Sequence, residues 1–135
     1  TGALNRLGLN ELGHGLVAEA RRTNAQLSIA LIDLDGLRDI NNRGGHAEGD
    51  ALLRQACSEL LDSLGPADAV GRLGGDEFLM LMPRTELVEA TRTVKALEET
   101  ATVRWTAGLA ELEGEESFDD LVRRADHGMY ERKFR

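Results

Sequence analysis

The chain has 135 residues, 41% hydrophobic and 30% charged, the composition of one soluble globular domain with room for a core and too short for two. A net charge of −8 argues against a nucleic-acid backbone as the main partner, although metal ions can still bridge an acidic protein to a nucleoside triphosphate. The lone cysteine, Cys57, leaves no internal disulfide or cysteine-rich metal site, and no apolar run is long enough to cross a bilayer or begins as a signal peptide.

Leu9, Leu12, Leu16 and Ala20 follow helical spacing, which predicts an opening helix over 5–24. The apolar, β-branched run Leu27–Leu34 reads as a strand buried on both faces. A polar, Gly-rich loop is expected from Asp35 to Gly45. Leu52, Ala56, Leu60 and Leu64 then mark a helix that stops at Gly65-Pro66, with Cys57 a small buried hydrophobe within it. Two short apolar runs, 69–73 and 78–82, flank Gly74-Gly75-Asp76-Glu77 and predict a hairpin whose glycines supply positive φ. A helix over 86–100, a strand over 101–110 and a last helix with the stripe Phe118, Leu121, Val122, Ala125 and Met129 complete the order α-β-α-β-β-α-β-α. That order implies an α/β (α+β) fold: a mixed central sheet with surrounding helices, in a ferredoxin-like or nucleotide-cyclase/palm-like arrangement. Trp105 and Tyr130 are expected to pack on the sheet. His14 and His127 read as surface or satisfied polar residues, and His46 as a loop-ordering one.

Two acidic elements carry chemical weight. Asp33 and Asp35, two apart at the end of the strongest strand, share a face if the strand persists through both. Asp76 and Glu77 occupy the hairpin tip, and a hairpin pairing beside the first strand brings Asp76 near Asp33. Carboxylates at that density call for a hard divalent cation, and Mg²⁺ favours carboxylates together with phosphate oxygens. Taken singly, each feature is a common solvated strand end or turn; the ordered set is what points to phosphoryl chemistry.

The ordered set resembles the GGDEF family of diguanylate cyclases over 1–135. Thr1-Gly-Ala-Leu-Asn-Arg6 is similar to its opening motif, Asp33-Leu-Asp-Gly-Leu-Arg38 to its D-x-D-x-F-K segment, and Asn41-Asn42 with Gly45-His46 and Gly49-Asp50 to N-D-x-x-G-H-x-x-G-D. Arg72-Leu-Gly-Gly-Asp-Glu-Phe78 is the signature. Thr106-Ala-Gly108 resembles S-I-G, and Ala125-Asp126, Met129-Tyr130 and Lys133 resemble the closing helix motif. The resemblance implies condensation of two GTP into cyclic di-GMP with loss of pyrophosphate, between two facing domains. It implies Mg²⁺, two per half-site with Mn²⁺ as a substitute, on Asp33, the Leu34 carbonyl and Asp76. Asp76 is then the group that deprotonates the 3′-hydroxyl, with Glu77 beside it and Arg38 also catalytic. Asn41 and Asp50 would read guanine; Gly36, Leu37, Arg38, Gly74, Gly75 and Lys133 would also meet the substrate. The expected partners are GTP and a second GGDEF domain, with no nucleic acid and no direct membrane contact. The location is expected to be cytoplasmic, in a domain excised from a longer signalling protein with fused regulatory domains, a parent compatible with a membrane anchor elsewhere in its chain. The alternative is a degenerate GGDEF domain that binds GTP as a sensor or dimerisation module without turnover.

Departures from the family pattern are specific. Leu37 stands for Phe, Arg38 for Lys, Asn42 for Asp and Gly44 for an aromatic residue, which should loosen that loop. Gly128 weakens the last helix, and the stretch 86–110 is short. Gly65-Pro-Ala-Asp68 occupies the R-x-x-D product site without its arginine, so tight feedback binding of cyclic di-GMP is not expected.

Overall fold

The computed structural model describes residues 2–133, without the side chains of Arg38, Arg132 and Lys133. Helix α1 (Arg6–Thr23) starts at Asn5, whose side chain accepts from the Gly8 N–H, and ends at Asn24 in the left-handed conformation (φ 55°). Its buried stripe is Leu9, Gly13, Val17 and Ala20; Leu12, expected to join it, is 38% exposed. Gly13 belongs in that stripe because the Phe118 ring lies where its Cβ would stand.

Strand β1 (Leu27–Leu34) leads into α2 (Leu37–Gly44) and α3 (His46–Asp62). Strands β2 (Ala69–Arg72) and β3 (Glu77–Pro83) form the hairpin, followed by α4 (Leu87–Thr100), β4 (Trp105–Glu111) and α5 (Phe118–Lys133). The sheet order is β2-β3-β1-β4, with every ladder antiparallel. This is the ferredoxin-like order, so the α+β architecture stands as expected; the parallel contribution to the sheet shrinks to an isolated Leu4–Gly71 bridge.

β1 lies between two neighbours and is buried on both faces, as its continuous apolar run requires. Ala30, Ile32 and Leu34 point into a core with Cys57, Leu60, Ala90, Val94 and Trp105 under α3 and α4. Ile29 and Leu31 point the other way, with Leu79 and Leu81, toward Leu9, Phe118, Leu121 and Ala125 of α1 and α5. Gly108 lets α5 approach β4 closely: a Cβ there would overlap the Ala125 carbonyl and the Met129 amide. Ser28, a polar side chain buried in the core, donates to the Thr85 carbonyl (2.7 Å).

Four expectations change. The predicted loop 35–45 contains α2, because Leu37 is buried and Ile40 half-buried beside α3 despite the poor helix propensity of Asn and Gly there. The strand expected from Ala101 starts at Trp105, since 101–104 form a turn. Glu59 of α3 holds that turn by accepting from the Thr102 N–H (3.0 Å) and hydroxyl. Trp105 is buried as expected, whereas Tyr130 is 61% exposed on the outer side of α5. Finally, neither Gly74 nor Gly75 adopts positive φ; the left-handed glycines are Gly2, Gly36, Gly45 and Gly114.

Candidate active site

Polar chemistry gathers where β1 runs out. The β1–β3 register sets Asp33 opposite Glu77. Beyond it, the Leu34 N–H donates to the Asp76 carbonyl (2.9 Å), so hydrogen-bonded pairs fall on the even residues of β1. Asp33 and Glu77 are therefore a non-hydrogen-bonded pair, the closer kind, with both carboxylates on the α1/α5 face. The same bond turns the Leu34 backbone toward the hairpin. Asp33, Leu34 and Asp76 thus occupy adjacent backbone positions on neighbouring chain segments.

Among the described residues no three His, Cys, Asp or Glu side chains converge closely enough to hold an ion by themselves. Two carboxylates and a carbonyl are nevertheless an all-oxygen set suited to Mg²⁺, which keeps positions for water and phosphate oxygens. The residues present fit that group.

Asp35 does share the face of Asp33, but the structure gives it a separate task. Its N–H donates to the Arg104 carbonyl (3.0 Å), and the Thr106 hydroxyl lies within hydrogen-bond distance of Oδ1 (3.0 Å) and Oδ2 (3.1 Å). Asp35 therefore anchors the start of the next turn to β4. Gly36 then takes φ 72°, which needs glycine for its backbone conformation, and α2 begins. The first-turn N–H groups of α2, from Leu37 onward, lack intrahelical acceptors and suit an anion. Arg38 lies in that turn and Lys133 ends α5; their side chains lie outside the described residues, as does Thr1 of the opening motif.

Asn41 on α2 packs against Gly49, the residue before Asp50 on α3, since a Cβ at Gly49 would overlap Asn41 Oδ1. Among the described residues that oxygen, which is buried, has no hydrogen-bond partner. An amide left so costs about 1–3 kcal/mol until a donor reaches it. Gly44 is less open than the sequence suggested, because Glu48 folds over it where a side chain would go. His46 is exposed at the start of α3. A cavity of about 400 Å³ opens between α3 and the hairpin; Asp50, Leu53, Arg54, Cys57, Arg72 and Phe78 line it with residues 3–5.

At the hairpin tip the Leu73 N–H donates to the Glu77 carbonyl (2.9 Å). Arg72 reaches over the same turn, Nε to the Gly74 carbonyl (3.0 Å) and Nη2 to the Gly75 carbonyl (2.7 Å). The roles of Arg72, Thr106 and Gly49 escaped the reading of the sequence. Strand register alone would have placed Thr106 beside Asp33, and only side-chain geometry reveals the Arg72 contacts.

An antiparallel sheet in this order, with carboxylates on a hairpin next to an acidic strand end, defines the nucleotide-cyclase-like class of α+β domain. Within that class, the chain matches over residues 1–135 the family described as "Diguanylate cyclase, GGDEF domain", and it belongs to that family. It is 32% identical to the diguanylate cyclase DgcP of Pseudomonas aeruginosa over 98% of this chain and 22% of that protein. It is 30% identical to the diguanylate cyclase DosC of Escherichia coli over 96% of this chain and 31% of that protein. The chain thus spans less than a third of the length of either relative. Its fold is similar to the GGDEF domain of DgcB from Caulobacter crescentus, solved with c-di-GMP. There the TM-score is 0.92 at 25% identity, covering 98% of this chain and 86% of that one.

Proposed function

We propose that residues 1–135 are one GGDEF domain of a longer signalling protein, and that it acts as a diguanylate cyclase, converting two GTP into cyclic di-GMP and two pyrophosphates. The observation that carries this reading is the register that puts Asp33 opposite Glu77 and next to Asp76. Asp33, Asp76 and the Leu34 carbonyl would hold two Mg²⁺, or Mn²⁺, which when bound neutralise triphosphate charge and acidify the attacking hydroxyl. Asp76, with Glu77 beside it, accepts the proton of the 3′-hydroxyl. The N–H groups that follow Gly36 receive phosphate oxygens, with Arg38 and Lys133 adding positive charge and Gly74 and Gly75 presenting backbone to the substrate. Asp50 accepts from guanine N1–H and N2–H₂, and the buried Asn41 amide oxygen gains a donor from the base edge.

Cyclic di-GMP contains two equivalent linkages, each formed from the hydroxyl of one GTP and the α-phosphate of the other. One nucleotide per domain therefore requires two domains face to face. The site for this reaction is proposed to be cytoplasmic, where GTP is supplied; among the described residues no helix is long and apolar enough to cross a membrane.

The test is turnover as a function of protein concentration, with the product identified by mass. Cyclic di-GMP whose specific rate rises with concentration supports the proposal. GTP binding without product, even when dimerisation is forced, would instead make the domain a nucleotide sensor.

A further inference from the structure

We propose that Arg72 is a positioning residue that locks the acidic tip of the hairpin in register with β1. The inference rests on the reading of Asp76 as a metal-holding carboxylate. The turn that carries Asp76 contains two successive glycines, which have the widest conformational freedom of any residue. Its backbone closure is slight: one bond of 2.9 Å from Leu73 and a long one of 3.5 Å from Gly74, both to the Glu77 carbonyl. Arg72 adds what the backbone lacks. Its Nε and Nη2 donate to the carbonyls of Gly74 and Gly75 at 3.0 and 2.7 Å, the two residues immediately before Asp76.

A guanidinium is planar and rigid, so donation to two successive carbonyls fixes the orientation of two peptide planes together. The second of those planes contains the Asp76 N–H. The fork therefore sets the direction in which Asp76 leaves the turn, and the Leu34–Asp76 bond completes the alignment with β1. Lysine cannot replace it, since an ammonium is a point donor without the fork. Arg72 also lines the cavity that reaches Asp50. One side chain thereby joins the hairpin tip to the proposed nucleotide pocket.

The test compares wild-type protein with Arg72→Ala, Arg72→Lys and Arg72→Gln by amide hydrogen exchange, first without metal or nucleotide. Arg72 is exposed at the end of β2, so the variants are expected to fold, with unchanged protection at Ile29–Leu31 and Leu79–Leu81 as the check. Exchange at residues 74–77 should rise by about tenfold, the worth of two charge-assisted bonds in part exposed to water, in all three variants. In turnover, kcat should fall at least about tenfold, and by a larger factor than KM for GTP rises, since the displaced tip acts on the reacting hydroxyl while Asn41 and Asp50 still hold the base.

Unchanged exchange at 74–77, full rescue by lysine, or a loss confined to KM would each overturn the proposal. The first of these is read without metal and nucleotide, so it decides the role of Arg72 whether or not Mn²⁺ binds. Failure of wild-type protein to take up Mn²⁺ would strike the metal reading of Asp76 instead.

Discussion

Asp33 of β1 and Glu77 of β3 face one another at a non-hydrogen-bonded position, the closer kind of antiparallel cross-strand pair. Like charges so placed oppose strand pairing, and a bound cation reverses the sign of that contribution. Divalent metal should therefore stabilise the fold, by about 1.4 kcal/mol at tenfold excess over its Kd. Scanning calorimetry should show Tm rising by several degrees with Mg²⁺ and returning with EDTA. The shift should vanish in Asp33→Asn and in Asp76→Asn.

Gly49→Ala should cost guanine affinity without unfolding the chain. Its Cβ would displace the Asn41 side chain, which fills the space next to Gly49. The loss should approach that of Asn41→Ala, about 1–3 kcal/mol or roughly five- to 150-fold, as expected for one polar recognition group. Competition between GTP and ATP in a binding assay reads it, since the discrimination should narrow.

Acid should weaken the molecule at the 112–117 loop. The Arg124 guanidinium donates to both Glu116 oxygens (2.6 and 2.8 Å) and holds the Glu116 carboxyl below the usual carboxylate range. A carboxyl lowered in the folded state adds stability above its unfolded pKa, and that stability is lost as pH falls through the lower folded value. Urea unfolding from pH 6 down to pH 3 should show this decline, and Glu116→Gln should remove part of it. Because Arg124 is partly exposed, the cost of Glu116→Gln at neutral pH should be only about 1 kcal/mol.

Two glycines near the end of the chain should respond in opposite ways to alanine. A Cβ at Gly128 meets open space, so Gly128→Ala should stabilise α5 by about 0.5–1 kcal/mol. Gly108→Ala, in contrast, drives a methyl into the α5 backbone and should lower Tm markedly. Thermal melts of the pair provide the comparison.

The segment 65–68 should not hold cyclic di-GMP tightly. Gly65 stands where an arginine would be needed, and Asp68 is occupied, its carboxylate accepting from the Gly65 N–H (3.0 Å) to close the turn into β2. Calorimetry should find no sub-micromolar product binding that depends on Asp68. Asp68→Ala should instead cost about 1 kcal/mol of stability, the usual worth of one such bond.

Much of this was legible in the sequence. The apolar run 27–34 read as a doubly covered strand and the two short runs around Gly-Gly-Asp-Glu as a hairpin, and the β1–β3 pairing bears out both elements. Less legible were features set by tertiary contact. α2 is hidden by Asn41, Asn42 and Gly44 and exists because Leu37 and Ile40 find a surface beside α3. Asp35 looked like a partner for Asp33, yet the Thr106 hydroxyl claims it, a contact fixed by the β1–β4 register. The hairpin glycines suggested a left-handed turn, whereas the Arg72 fork holds them in another conformation. Tyr130 followed the helical motif of the family but points outward from α5.

The most direct measurement of the central claim is turnover by Asp76→Ala beside the wild type, at high protein concentration with GTP and Mg²⁺. The wild type should yield cyclic di-GMP and two pyrophosphates per product, and the variant should lose both while its fold and GTP binding persist. Equal turnover by the two proteins would contradict that claim.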